Sequence, residues 1–529
     1  MSKSLEARTS SSGGDWPRQT VETLDSGNGA IITPDELFLA ELGHVQHMTR
    51  KFGFWSMLSL AFSIAGTWVA LSADLGAGLN SGGTVSLIWG VVLAGLCMYC
   101  IAASLGELLS CYPTSLGQAF FVLKLAPEQR GMRTVSYITG WINVAGWWTL
   151  IASCATFTTS FFVAIIQIFQ PDYSPKPWQN FVIFEATIWI YAVVNITLTR
   201  YDRFLPVFNT TMMITNVLLF VGMLVSTLAC TAKYGTFQSG KFIFATFVNE
   251  SGWPDGFAFL QGLLSATYGF TALDSVIHMI EELPKPSTNG PRTMVLAVWA
   301  GLVTGFIFLV VMFACTKSMD GLVNTTYVIP IVQILYDSTG QGGAATLMIL
   351  LELNTIVSAL SISTAASRLT YGFARDHGLP WSNYFAHTST YWKMPVRATI
   401  GQTFIVTIIG VFYFCSSNVL TAVISLSSVT LVLACAVPVA VLLFVGRDRM
   451  PANRPYNLGR FRGYVYNIVG VAFASLISVV FFFPSSPNPS SSNMNWAIAA
   501  FGALTLLAVF SWFMGANRRY SVIPTTEDL

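Results

Sequence analysis

Asp274 and His278 stand four residues apart inside an apolar stretch of a 529-residue chain. That spacing puts both on one face of a helix. Because histidine titrates near neutral pH, the two could hold and release a proton. The plainer reading, a hydrogen bond capping a short helix, stands beside it. The surrounding segment, 265–286, reads SATYGFTALDSVIHMIEELPKP. It begins as a hydrocarbon helix and then stops behaving as one: Gly269 sits between Tyr268 and Phe270, followed by Thr271 and Ala272. A charge at membrane depth is costly unless it faces a cavity or a partner, so Asp274 marks function by default. Backbone that unwinds at that depth is tolerated only where it lines such a cavity. Glu352 is a second acid deep in an apolar run, able to neutralise a cationic solute or carry a proton, and Glu185 is assigned to packing or the interface. Glu281 and Glu282 end a helix, where the macrodipole disfavours anions. They call for cationic partners, and Arg368 and Arg375 are the candidates for an inner gate. The alternative is a set of solvated surface charges worth little.

These groups need elements to carry them. Of the chain, 53% is hydrophobic and 10% charged, against about 25% charged in soluble domains. A span needs about 20 apolar residues, and twelve such runs begin near Phe52, Val85, Trp141, Gln179, Phe204, Gly256, Met294, Thr346, Ala398, Val419, Val465 and Asn495. Ser416, Ser417 and Asn418 form the turn between the ninth and tenth. With the N-terminus cytoplasmic, all 27 Lys and Arg fall outside the spans, and only Lys176, Lys233, Lys241 and Lys317 fall in outer loops. This bias supports both the count and the orientation. The expectation is an all-α membrane protein of twelve transmembrane helices. It divides into a polar cytoplasmic tail at 1–50, a ten-helix core at 51–446, a cytoplasmic loop with helices 11 and 12 at 447–517, and a cytoplasmic tail at 518–529.

The first span holds Ala65, Gly66, Thr67 and Trp68 behind Ser63 and Ile64. Small residues interrupt its middle, as Gly269 interrupts the sixth. Two broken helices five apart point to a five-plus-five inverted repeat with the substrate site at the breaks. The plainer reading is close helix packing. Freed N–H groups bind anions and freed carbonyls bind cations. Trp68, Trp147, Tyr268 and Phe270 offer faces for an ammonium group; Trp148 is a further aromatic with a background claim.

No nucleophile–base set or metal-ligand cluster occurs, so an enzyme, a cofactor and a metal are not expected, and nothing points to nucleic acid. Cys97 and Cys100 form a CxxC without further ligands. Cys230 and Cys315 are both placed near the outer face, where a disulfide is not the favoured reading. Asn249 and Asn324 head glycosylation sequons in predicted outer loops.

Beyond these residues the chain resembles fungal amino-acid/choline permeases of the amino acid-polyamine-organocation superfamily over 35–515. The motifs are GELLSCYPTSLGQAFF (106–121), LKLAP (123–127), PDYSPKPW (171–178), FVNESGWPDGFAFLQGL (247–263), LDSVIHMIEELPKP (273–286) and SRLTYGFARDHGLP (367–380). It is most similar to the choline permeases, with GABA and amino-acid permeases next. The resemblance implies twelve helices, a site at the breaks of spans one and six, and uptake coupled to protons. The expected function is secondary active transport, by alternating access, of a small amine, choline or a relative, with the proton as coupling ion. An amino-acid permease is the alternative, and a non-transporting nutrient sensor is a lesser one. The setting is a bilayer, the plasma membrane before the vacuolar one.

Overall fold

A computed structural model describes residues 24–26, 30–32, 52–200, 204–392, 394–414, 419–490 and 494–520. Most of the tail at 1–50, the turn at Ser416, Ser417 and Asn418, and residues 521–529 lie outside the described residues. Within the tail, β1 (Leu24–Ser26) pairs antiparallel with β2 (Ala30–Ile32). The rest is helical.

The first span comes in three pieces: α1 (Phe54–Ala65), α2 (Thr67–Ala73) and α3 (Leu75–Asn80). Next come α4 (Gly83–Cys111), the short α5 (Gln118–Leu125), α6 (Met132–Phe169), α7 (Pro177–Thr199) and α8 (Phe204–Tyr234). The sixth segment is again divided. α9 (Asp255–Tyr268) gives way to a tight 3-10 turn at Thr271–Asp274, then to α10 (Ser275–His278) and a second 3-10 turn at Ile280–Glu282. The chain continues through α11 (Pro286–Ala314), α12 (Ile331–Arg375), α13 (Val396–Gly410), α14 (Val419–Val445), α15 (Arg460–Val480) and α16 (Ala497–Ser511).

Among the described residues, 11 helical stretches are long and apolar enough to cross a membrane. Each overlaps one of the expected runs, though three begin well before the expected start, at Met132 for Trp141, Pro286 for Met294 and Ile331 for Thr346. The run from Gly256 has no match, because its segment is divided into short pieces. α12 leaves helical geometry at Gly340 (φ 75°, ψ 177°), and its stretch from Gln341 to Arg375 still exceeds the roughly 20 residues a bilayer requires. Its length corrects one expectation: Arg368 lies within the helix, at 5% exposure, not outside every span.

The breaks have different causes. At Gly66 the backbone turns left-handed (φ 46°, ψ 36°), with the Gly66 N–H closing α1 on the Phe62 carbonyl. A side chain at that φ is strained, so glycine is the residue that fits. At the second break, Ala272 leaves helical geometry (φ −84°, ψ 24°), and 3-10 turns absorb the change of direction.

α1 packs on α8 and α11, α4 on α9 and α11, and α6 on both α12 and α14. Phe52 donates its N–H to the Glu282 carbonyl at 3.2 Å, tying the start of α1 to the end of the sixth segment. One end of the bundle is therefore marked by Glu282. The opposite end carries Ser81 and Asn249, which form an isolated bridge. Cys97, Cys100, Cys230 and Cys315 are unbridged.

Candidate substrate site and gate

The two breaks meet. Thr67, the first residue of α2, donates its hydroxyl to the Gly269 carbonyl at 2.7 Å. A methyl group added at Gly269 would fall 2.9 Å from Thr67 Cγ2 and 3.2 Å from its Cα. Only glycine allows that approach.

Beside this junction lies a small cavity of about 40 Å³ between α1, α2, α6, α9 and α12. Of the expected site residues, Ala65, Gly66, Tyr268 and Thr271 line it. Ser63 lines it too, and its buried hydroxyl has no partner, so a solute can complete its hydrogen bonding. Thr355 and Ser358 of α12 supply two more hydroxyls. The Tyr268 hydroxyl shares a 2.7 Å hydrogen bond with Ser153, and its ring meets Phe157 edge-on at 5.4 Å. Much of the wall is aliphatic, from Ile64, Val69, Leu150 and Ile362, with these hydroxyls and rings among them and no charged side chain.

The other expected residues sit elsewhere. Trp68 points away, donating Nε1 to Asn216 at 3.0 Å between Phe220 and Phe308. Phe270 packs towards Gly95 and Gly301; helix packing claims both rings. Glu352 lies one turn before Thr355, buried near Thr158, with Oε2 unpartnered. Trp148 donates Nε1 to Thr370 at 3.1 Å.

Asp274, His278 and Trp147 form a separate buried cluster. Asp274 Oδ2 accepts from Gln118 Nε2 at 2.7 Å and from Trp147 Nε1 at 3.4 Å. His278 Nε2 stands 3.0 Å from the same oxygen, and its Nδ1 lies 3.0 Å from the Ser115 carbonyl. A carbonyl only accepts, so Nδ1 carries a hydrogen. Nε2 also faces the Asn143 amide nitrogen at 3.4 Å. Asn143 Nδ2 donates to Gln118 Oε1 at 2.9 Å, and Asp274 Oδ1 has no partner.

The charges at the Glu282 end pair much as their types require. Arg368 Nε donates to Glu282 Oε1 at 2.7 Å, both side chains buried. Glu281 accepts from the Ser115 hydroxyl at 2.5 Å, and Arg375 lies in the field of Glu281 and 3.5 Å from Asp376. Burial pushes the Asp376 carboxyl up to about 7, with Arg375 opposing the rise. Its 7% exposure explains why removal from water wins.

Two features went unread in the sequence. Glu107, inside the GELLS motif, is fully buried and binds Arg447, Arg454 (2.6 Å) and the Leu458 N–H (3.1 Å). Nothing local pairs an acid with arginines some 340 positions away. Asp74 closes α2 at 4% exposure with Oδ2 unpartnered. It lines a larger cavity of about 540 Å³ at the Asn249 end. It stands at the edge of the first apolar run, where nothing in the sequence singles it out. Of the sequon asparagines, Asn249 commits its amide to Trp253 and Asp255 at 2.7 and 2.9 Å, and the exposed Asn324 donates its own to Asp320 at 2.8 Å.

Crossing helices broken in pairs around a hydroxyl-lined cavity describe a multi-pass membrane transporter. The amino acid permease family model matches residues 52–506, and the chain belongs to that family. The chain is 31% identical to a choline transporter of Saccharomyces cerevisiae over 96% of its own length and 87% of that protein's. It is 29% identical to an uncharacterised amino-acid permease of Schizosaccharomyces pombe, covering 91% of this chain and 88% of that one. With amino-acid permease 2 of Neurospora crassa it shares 27% identity, over 96% and 93%. The kinship is with transporters, not enzymes.

Proposed function

We propose that the chain is a proton-coupled secondary transporter that takes up a small amine, choline or a close relative, by alternating access. The observation that carries this reading is the meeting of the breaks at Gly66 and Gly269 beside a cavity with no charged wall. There, α1 ends and α2 begins, so carbonyl and N–H ends of helices face the same space. An ammonium group is met by the carbonyl end of α1 and by the faces of Tyr268 and Phe157. The relationship to a yeast choline transporter points the same way. An amino acid is the second reading, because the N–H groups opening α2 suit a carboxylate.

The packing supports a five-plus-five repeat of twelve crossings, with the divided segment as the sixth. Under a shift of five spans, the contacts of α6 with α14 map onto those of α12 with α8, and α1 with α8 onto the sixth segment with α14. The Asp274–His278 pair serves as the proton site, with Glu352 as a second candidate. The Arg368–Glu282 pair shuts the path on the side that the positive-inside rule assigns to the cytoplasm. Both termini then lie inside, and the sequon asparagines Asn249 and Asn324 lie outside. A plasma-membrane location follows from uptake.

Radiotracer uptake into transporter-deficient cells, with choline competed by GABA and a panel of amino acids, tests the reading. Saturable choline accumulation that grows as the medium is acidified is the expected result. No accumulation of choline, GABA or any amino acid at any pH refutes it.

A further inference from the structure

The cavity at the Asn249 end is more than ten times the volume of the inner one, and it falls in the range of real ligand pockets, about 300–1,000 Å³. The two are stacked along the same helices. On α2 the inner cavity touches Val69 and Ala70 and the larger one Ala73 and Asp74; on α9, Tyr268 belongs to the inner and Leu264 to the larger. Gly66 and Asp74 are eight positions apart, about 12 Å along a helix.

Asp74 is out of place as a structural acid. No Lys, Arg or His pairs with it among the described residues, and one carboxylate oxygen has no hydrogen bond. A buried, uncompensated carboxylate is expensive; it is relieved by taking up a proton or by a cation held against it. None of the cavity's wall residues is basic, and Glu250 adds a second negative charge at the rim. A cleft lined by one sign of charge concentrates counter-ions. Phe481 and Phe483 give aromatic faces on the same wall, suited to an alkylated ammonium. A divalent metal wants six or more oxygens, and no three acidic, His or Cys groups converge among the described residues.

We propose that this cavity is a second binding station for a small organic ammonium, held at the Asp74 carboxylate before the solute descends to the inner site. The station deepens the transport reading above and rests on it for the direction of travel. The test uses the full-length chain in lipid nanodiscs, with a reporter thiol from Ala77→Cys, a half-buried wall position. Its labelling by a methanethiosulfonate reagent, above that of the unsubstituted protein, is measured against tetramethylammonium chloride. Protection is expected. The half-protecting concentration should rise at least tenfold in Asp74→Asn and two- to threefold in Glu250→Gln, both monodisperse by size exclusion. Should Asp74→Asn not fold, the Glu250→Gln shift decides. Absence of protection, or protection indifferent to whichever of these substitutions is read, overturns the inference. So does equal protection by sodium or calcium chloride, which assigns the site to an inorganic cation. Asp74-dependent protection in a protein that takes up neither choline nor an amino acid sinks the transport reading alone. Uptake with Asp74-independent protection sinks the station alone.

Discussion

Neutralising Glu282 tests the gate most directly. Its carboxylate meets Arg368 at 2.7 Å, with side-chain exposures of 2% and 5%. Removing one partner of such a pair leaves a buried charge uncompensated and costs about 3–5 kcal/mol. Glu282→Gln keeps the shape and removes the charge. The cost falls on whichever state buries the pair, here the one closed at the Glu282 end. A loss of about 3 kcal/mol shifts an equilibrium roughly a hundredfold. The readout is a cysteine at Thr364, whose carbonyl accepts from Arg368 at 3.3 Å, in an otherwise cysteine-free background. Its labelling by an impermeant reagent from that side should quicken at least tenfold in Glu282→Gln. Exchanging the charges, Glu282→Arg with Arg368→Glu, should return the rate towards that of the parent. Labelling within twofold of the parent in the single variant, with uptake unaltered, would refute the gate.

Three further outcomes follow from the geometry. Asp274→Asn cannot share a proton with His278, so acid-stimulated accumulation should vanish while exchange of labelled for unlabelled substrate persists; uptake measured from pH 5 to 8 checks it. Tyr268→Phe deletes the hydroxyl bonded to Ser153; at about 1 kcal/mol for a neutral hydrogen bond, KM should rise roughly fivefold with the maximal rate nearly kept. Asp376 has its carboxyl raised by burial to about 7, above an unfolded value of about 3.9. Its stabilising contribution is complete below the unfolded value and lost as pH rises through about 7, so Asp376→Asn should flatten the fall in melting temperature between pH 4 and 8, seen by fluorescence-detected unfolding in detergent.

Periodicity and charge placement were enough for the fold, because a bilayer demands long uncharged runs and every such run is visible locally. The break at Gly66 was legible for the same reason: a small-residue interruption stands out in hydrocarbon. The site was legible only in part. His278 and Asp274 are four apart, so helix geometry alone predicts their contact, and Glu282 with Arg368 was inferred because a helix C-terminus repels anions. Trp68 and Phe270 were misread because adjacency to a break does not say which way a ring faces; α8 and α11 decided that for Trp68. Asp74 was passed over because its burial depends on α9 and on loops far along the chain.

The Glu107 clamp has a consequence for dissecting the molecule. A fragment ending at residue 446 would keep α1 to α14 yet lose both guanidinium groups that neutralise this acid, stranding a bare anion in the protein interior. The last two helices are then no detachable appendage. The connector that leads to them doubles as the counter-charge for span two, and any chimera that swaps this C-terminal part must carry Arg447 and Arg454 with it.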